Sequence, residues 1–315
     1  MKEDYPQALL ELEKRFSTDK DCRAYLFGLR WPDGWVCPRC GGRQVWAVRR
    51  NLWKCGGCHY ETSVTAGTIF QDSHLSLTMW FRAIWQVTSQ KNGASALSLQ
   101  RVLGLGSYMT AWALLHKLRR AMVRQGRDCL RGVVEVDETY WGGKESGVVG
   151  RLTHDKALII VGVEENGKGI GRIRMRHIPD FTKASLHGFI RQAVEPGSTV
   201  RTDGLTAYMG PAGYHHDRQV QRDQEKGEHL LPRVHLVVSL LKRWLMGTHQ
   251  GSVGLNHLDY YLDEFTFRFN RRKSASRGKL FYRLVQQSVQ VVPAIRNLNQ
   301  IPSHKEWWSQ VDTHV

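Results

Sequence analysis

The sequence lacks any apolar run of the ~18 residues that a membrane-spanning helix requires; its longest comparable stretch runs only from Ala157 to Val163. Its first residues, MKEDYPQALLELEKRF, lack the apolar core of a secretory signal, so we expect none. These absences exclude membrane, collagen-like and disulfide-scaffold proteins. A hydrophobic content of 41% indicates a globular chain, and its 315 residues are enough for about two domains.

Acidic residues are also scarce. The chain has 29 Asp and Glu against 45 Lys and Arg, which gives a formal net charge of +16. Such an excess of positive charge indicates a polyanionic partner, and nucleic acid is the leading candidate. A ribosomal-type protein or a merely soluble basic protein is the alternative.

The cysteines form two close pairs, CPRC at Cys37 and Cys40 and CGGC at Cys55 and Cys58, with fourteen residues between the pairs. This spacing predicts a zinc ribbon, because each Cys-x-x-Cys turn presents two thiolates to one tetrahedral Zn²⁺. Two short strands are expected on either side of residues 49–51, and residues 59–70 can supply a third. Redox pairs or disulfides are the alternative, which a cytosolic compartment disfavours.

A helical pattern follows the cysteines. Apolar residues at spacings of three and four predict a helix over residues 76–90, and Gly104 and Gly106 separate two further helical stretches at 94–103 and 107–122. Helix, short glycine-containing turn and helix are typical of a helix-turn-helix. We expect Ser107 to cap the last helix and its basic end to bind DNA; a plain helical linker is the alternative.

From residue 132 the pattern becomes α/β. Three strands over residues 132–179, a helix over 183–194 and a fourth strand over 198–203 are typical of an RNase H-like core. Asp137 lies near the end of the first strand and Asp203 at the end of the fourth. Two carboxylates on neighbouring strand ends could hold one or two Mg²⁺ ions for phosphoryl transfer. A solvated strand end and a simple turn are the alternatives.

A further helix over residues 235–246 is apolar except for one stripe that contains His235, Ser239 and Lys242. The stripe either completes a metal and phosphate site or combines a hydrogen-bonded histidine with an exposed lysine. The next helix ends in a stretch, residues 268–283, with seven Lys and Arg and no acid. Its interleaved aromatics either stack on bases or belong to the core.

These motifs together resemble the DDE-type bacterial insertion-sequence transposases with an N-terminal zinc ribbon, the ISXO-like group. The stretches that carry the resemblance are CPRC…CGGC, SVTAGTIFQDSHLSLTMWF, VEVDETYWGGKE, VRTDGLTAY, SLLKRWLMGTH and YYLDEFTFRFNRR. They extend from about Cys37 to Arg272. The resemblance implies an RNase H-like catalytic domain that binds transposon ends and, with Mg²⁺ or Mn²⁺, cleaves DNA and transfers strands.

The resemblance also implies roles for single residues. Asp137 matches the family's first catalytic Asp, Asp203 the second, and Lys242 the Lys that follows the third position. That position, often Glu or Asn in relatives, falls on His235; Glu264 or Asp263 is the rival. The residues that we expect to bind DNA are Lys117, Arg119, Arg120, Arg243, Arg271 and Arg272.

The expected organisation is linear. It comprises an N-terminal helical segment (1–29), the zinc ribbon (30–70), the helix-turn-helix-like segment (74–128), the RNase H-like domain (130–272) and a basic C-terminal tail (273–315). The family implies a cytoplasmic, nucleoid-associated protein that forms a homo-oligomer on double-stranded DNA. A structure-specific nuclease on the same fold and a catalytically decayed DNA-binding protein are the alternative functions.

Overall fold

The computed structural model describes residues 3–124, 126–143, 156–220 and 230–291. The chain divides into two compact units, Met1–Arg124 with Lys273–Val315, and Gln125–Arg272. None of the helices in these described ranges combines the length and the apolarity that a membrane crossing demands.

The first unit joins short helices to a small sheet. Its elements are α1 (Leu9–Arg15), α2 (Asp19–Arg30), β1 (Val45–Val48), β2 (Leu52–Cys55), β3 (Glu61–Ser63), α3 (Leu77–Ser89), α4 (Ala96–Leu103), α5 (Tyr108–Ala121) and α9 (Arg277–Ser288). The three strands pair antiparallel in the order β1-β2-β3, as the ribbon prediction requires. The Ser107 hydroxyl accepts a hydrogen bond from the Met109 N–H and caps α5 as predicted.

The segment predicted as a basic tail differs from that expectation. Residues 277–288 form helix α9, which buries Phe281 beside Phe81, with ring centroids 5.5 Å apart. A Cβ atom at Gly278 would lie 1.8 Å from the carbonyl oxygen of Pro6, so the N-terminal segment approaches α9 too closely for a side chain. Phe281 and Tyr282 are therefore core residues, whereas Phe269 is partly buried; residues 292–315 lie outside the described ranges.

The second unit is a mixed sheet with helices on both faces. Its elements are β4 (Val133–Trp141), β5 (Ala157–Asn166), β6 (Gly169–Ile178), α6 (Lys183–Ala193), β7 (Thr199–Thr202), β8 (His215–Arg218), α7 (Pro232–His249) and α8 (Leu258–Asn270). The sheet order is β6-β5-β4-β7-β8. β6, β5 and β4 are antiparallel neighbours, whereas β7 and β8 run parallel to β4. This arrangement confirms the predicted RNase H-like α/β fold.

Two apolar layers cover the sheet. Val134 and Val136 of β4 face α6, where they pack with Leu186 and Ile190. The opposite face packs against α7 and α8, with α7 over β4 and β5 and α8 over β6. Residues of β4 that point away from α6 therefore point toward α7, and the candidate site forms there.

Candidate active site and zinc ribbon

The strand register brings the two predicted aspartates together. β4 pairs with β7 in parallel, Val133 with Thr199 and Glu135 with Arg201. Continued by two residues, this register places Asp137 level with Asp203, one inter-strand spacing of about 4.8 Å away. The Asp203 side chain is fixed by a turn, in which its Oδ1 accepts a hydrogen bond from the Leu205 N–H at 3.0 Å. The two carboxylates are therefore close neighbours on adjacent strands, Asp137 in the middle of β4 rather than near its end as expected, and Asp203 directly after β7.

His235 reaches the same point from α7. Its Nε2 lies 3.3 Å from Oδ2 of Asp137, and its side chain remains 53% exposed. The sequence spacing predicted only that His235 and Lys242 share a helix face. The structure adds that His235, at the N-terminal end of this face, contacts Asp137.

A buried acid that sequence reasoning did not single out holds α7 in this position. Glu135 lies two residues before Asp137 on the same face of β4 and is completely buried. Its carboxylate accepts the N–H groups of Arg233 and Val234, each at 2.9 Å, and contacts the Arg233 guanidinium at 2.9 Å. A carboxylate at a helix N-terminus satisfies otherwise unpaired N–H groups and complements the helix dipole. Glu135 thus fixes the first turn of α7, one residue before His235.

The electrostatics of Asp137 are unfavourable without a cation. Burial raises its pKa, and the nearby Asp203 charge raises it further. The Glu138 N–H, which donates to Asp137 Oδ1 at 2.9 Å, and His235 act in the opposite direction. A hard divalent cation would relieve this repulsion, and carboxylate oxygens are the ligands that Mg²⁺ and Mn²⁺ prefer. The donor set of Asp137 and Asp203 therefore fits the expected metal.

Tyr208 supports the site from the other face of the sheet. It is completely buried, and its hydroxyl donates a hydrogen bond to Glu138 Oε2 at 2.6 Å. Burial and the Glu138 charge raise the Tyr208 pKa well above its ordinary value, so the phenol stays protonated as the donor. This bond ties β4 to the segment that follows Asp203. Tyr208 lies within the motif VRTDGLTAY, but nothing in the spacing signals its role.

Lys242 lies two turns beyond His235 on α7 and is half-buried, which lowers its pKa. It makes no hydrogen bond or ion pair among the described residues. Its ammonium group is therefore available to an external anion.

The rival acids lie over a more distant strand of the sheet. Asp263 and Glu264 are buried in α8, which packs on β6, two strands from β4. Asp263 Oδ1 lies 4.0 Å from the Arg127 guanidinium. Of the candidates for the third position, His235 is the one that the structure places beside Asp137.

The predicted DNA contacts of α5 are wrong for two residues. Arg119 and Arg120 are only 1% and 5% exposed, so they cannot lie on a DNA-binding surface. The buried face of α5 continues through its basic end, so the side chains of Arg119 and Arg120 lie in the interior of the first unit. Lys117 is half-buried, and its ammonium group lies 5.9 Å from the Trp80 ring centroid.

The remaining predicted contacts differ in exposure. Arg243 on α7 is exposed. Arg271 and Arg272 stack on the rings of Phe267 and Phe269, each at 4.0 Å from the centroid. Arg272 also donates to the Gly171 carbonyl at 3.2 Å, so it supports the start of β6. Of these three side chains, Arg243 is the one best placed for an external ligand.

The four cysteines converge as predicted. Their Sγ atoms all lie within 4.8 Å of one another, with Cys37 and Cys58 at 3.6 Å and Cys40 and Cys55 at 3.5 Å. Four thiolates about 2.3 Å from one tetrahedral zinc ion would be separated by about 3.8 Å. The Cys58 N–H, assisted by that of Gly57, lowers the Cys55 pKa to about 6 against the effect of burial. The donor set therefore fits structural Zn²⁺.

Comparisons with known proteins agree with this geometry. A model of the ISXO2-like transposase domain matches residues 129–270, and a model of the transposase zinc-ribbon domain matches residues 17–61. A protein of Halobacterium salinarum described as "Uncharacterized protein in transposable element ISH50" is 27% identical over 287 residues, which cover 81% of this chain and 92% of that protein.

Among solved structures, a chain of the simian T-cell lymphotropic virus intasome in complex with PP2A regulatory subunit B56 gamma aligns with 15% identity. The alignment covers 55% of this chain and 65% of that one, slightly under two thirds, and its TM-score of 0.28 is too low to support an argument. The two matched domains account for more than half of the residues, and the chain belongs to the ISXO2-like family of insertion-sequence transposases that carry a zinc ribbon.

Proposed function

We propose that this protein cleaves DNA at the ends of an insertion sequence and joins the released 3′ ends to target DNA. The observation that carries the proposal is the convergence of Asp137, Asp203 and His235. The parallel register aligns the aspartates, and His235 Nε2 lies 3.3 Å from Asp137 Oδ2. This convergence links residues that are 32 to 98 positions apart in the chain, which local sequence constraints do not explain.

Asp137 and Asp203 are the proposed ligands of the catalytic metal. Divalent cations bound there would activate the attacking oxygen and stabilise the leaving oxygen of an in-line phosphoryl transfer. Asp203 is held by its turn and Asp137 by the Glu138 N–H, so both carboxylates are oriented before a ligand arrives. Such preorganisation reduces the reorganisation that the reaction would otherwise require.

His235 and Lys242 are the residues proposed to contact the DNA phosphate. The imidazole can orient the Asp137 carboxylate through its 3.3 Å contact and, being half-exposed, can also meet the scissile phosphate. Imidazole is a poorer ligand than carboxylate for Mg²⁺, so positioning is the role that its chemistry favours. Lys242 would neutralise charge on the transferring phosphate.

The partner would be double-stranded DNA, both the element's ends and the target. The net charge of +16 favours its binding, and the zinc ribbon and the helix-turn-helix-like segment are the proposed readers of the terminal repeats. Because two ends must be brought together, we expect a homo-oligomer on DNA.

The test is a strand-cleavage and strand-transfer assay with labelled duplexes that contain the ends flanking the gene. Asp137→Asn and Asp203→Asn should each reduce Mg²⁺- or Mn²⁺-dependent cleavage by at least about 10²–10³-fold, because each removes a charge that the transition state requires. End binding should persist. Glu195→Gln, which neutralises an exposed carboxylate of the same unit, is the matched control and should cleave normally.

Each alternative function has its own result in this assay. Cleavage without joining would indicate a structure-specific nuclease, and end binding with neither reaction would indicate a decayed transposase. Strand joining by Asp203→Asn at the wild-type rate would contradict the proposed site.

A further inference from the structure

The turn between β1 and β2 has an unusual backbone. Val48 pairs with Leu52, so Arg49, Arg50 and Asn51 close the hairpin; we call these three residues the ribbon tip. The Leu52 N–H donates to the Arg49 carbonyl. Arg50 and Asn51 have φ angles of +63° and +58°. Positive φ at both central positions defines a type I′ turn.

Arg50 is a poor choice for the first central position of this turn, whereas Asn51 suits the second. A type I′ turn favours Asn, Asp or Gly at its central positions, and Asn-Gly is its strongest signal. Arginine in the left-handed region brings its Cβ close to the following carbonyl oxygen, which is unfavourable. Strained residues that stability does not require are concentrated at functional sites. The choice of Arg50 therefore requires an explanation outside the hairpin.

The charge of the zinc ribbon indicates what kind of ligand the ribbon tip could contact. From Cys37 to Tyr60 the sequence contains five Lys and Arg and no Asp or Glu. All three residues of the ribbon tip are exposed, and none of their side chains has a hydrogen bond or ion pair among the described residues. The two arginines thus face solvent with their donors unused.

Neutralisation of the negative charge at the zinc site does not explain the two arginines of the ribbon tip. Four thiolates around Zn²⁺ carry a net charge of about −2, which nearby cations would offset. Leu52, the residue after the ribbon tip, is three residues from Cys55 along β2. That separation is about 10 Å, comparable to the Debye length in physiological salt, so the tip arginines are largely screened from the thiolates.

We propose that the ribbon tip binds duplex DNA, with Arg49 and Arg50 each neutralising a backbone phosphate as the β1–β2 hairpin enters a groove. A two-stranded β-ribbon fits the major groove of B-form DNA, and arginine is suited to phosphate oxygens by its planar donor fork. The inference deepens the proposed function and rests on it, because it assigns DNA contacts to residues of the zinc ribbon.

The experiment measures binding of the full-length, zinc-loaded protein to a short duplex of arbitrary sequence over a range of salt concentrations. Arg50→Asn should weaken binding about fivefold and lower the slope of log K against log salt by about 0.9, the loss of one phosphate contact. The double variant Arg49→Ala/Arg50→Asn should lower the slope by about twice as much. Because Asn adopts positive φ more readily than Arg, Arg50→Asn should melt no lower than the wild type.

Two matched variants isolate the ribbon tip. Asn51→Gly also suits the turn but keeps both arginines, so its DNA affinity and salt slope should equal those of the wild type. Arg43→Ala removes one exposed charge elsewhere in the ribbon, where the guanidinium donates to the Asp33 carbonyl at 3.3 Å, and should leave the slope almost unchanged.

An unchanged salt slope in Arg50→Asn, with normal binding by the wild type, would overturn the inference and leave the proposed function intact. Equal losses in Arg43→Ala and Arg50→Asn would also overturn it, because total charge rather than the ribbon tip would then determine binding. If the wild-type protein bound neither the arbitrary duplex nor its own ends, the proposed function itself would fail, and the inference with it.

Discussion

Two Asp-Glu dipeptides occur in this chain, Asp137-Glu138 in β4 and Asp263-Glu264 in α8. Asp137 lies beside a like charge, Asp203, and both its burial and that charge raise its pKa. Asp263 is more deeply buried but lies 4.0 Å from a cation, Arg127. Asp137 thus keeps a like charge beside it until a cation arrives, whereas Asp263 already has a cation beside it within the fold. An acid's neighbours, more than its burial, separate a candidate ligand from a structural group.

The largest effect is expected at Glu135, which lies on the same strand as Asp137 but is paired like Asp263. Glu135→Gln should lower the free energy of unfolding by about 3 kcal/mol, because it breaks a buried ion pair with Arg233. Urea denaturation measures the loss, and cleavage should fall as well, since α7 carries His235. Glu165→Gln is the control: it removes the other carboxylate near Arg233, which is partly exposed, and should have less than half the effect.

The second prediction separates the two candidates for the third position. His235→Ala should reduce cleavage about 10²-fold with little change in stability, because a half-exposed positioning group is lost. Glu264→Gln should leave the cleavage rate per folded molecule unchanged, although it alters a buried acid. Single-turnover kinetics at saturating metal compare the two. If Glu264→Gln proved the less active of the two when folded, the assignment of the third position would be reversed.

The pattern of residues predicted most of the fold. Periodicity found β4 to β7 and α3 to α8, since each buries a regular apolar face. It missed β8, whose residues His215 to Arg218 are all polar and which forms only by pairing with β7. It also placed Arg119 and Arg120 on a surface, because a basic helix end and a buried polar cluster have the same local pattern.

The site was less predictable than the fold. The aspartates were identifiable because each lies in or directly after an apolar strand, but Glu135 and Tyr208 act through contacts with residues 98 and 70 positions away. Such contacts depend on how α7 and the segment after β7 meet β4, and spacing along one element carries no information about them.

The third prediction concerns Asp263. Asp263→Asn should lower the free energy of unfolding by about 1–2 kcal/mol, because Arg127, whose pKa is already lowered by burial, would lose the carboxylate charge that lies 4.0 Å away. Cleavage by the folded fraction should be unchanged. Thermal unfolding measures the first quantity, and loss of cleavage at full stability would instead assign Asp263 to the site.

The fourth prediction has the opposite sign. In metal-free protein at neutral pH, Asp137→Asn should raise the free energy of unfolding by about 1 kcal/mol, because it removes a buried charge that Asp203 repels. The folded-state pKa of Asp137 lies above the unfolded value of about 3.9. The native state therefore binds more protons between those two values, and the stability of the wild type falls as pH rises through that window. Below about pH 4 the aspartate is protonated in both states, so the advantage of the variant should disappear.

Divalent metal should stabilise variants at the two dipeptides to different extents. Mg²⁺ or Mn²⁺ should stabilise the wild type against unfolding through ligand linkage and stabilise Asp137→Asn much less, because one of its two proposed carboxylate ligands is gone. Asp263→Asn, destabilised without metal, should gain as much from metal as the wild type. Calorimetry of the three proteins with and without metal measures these differences. A lower stability of metal-free Asp137→Asn at neutral pH would mean that Asp137 is satisfied within the fold, as Asp263 is, and that β4 presents no ligand awaiting a cation.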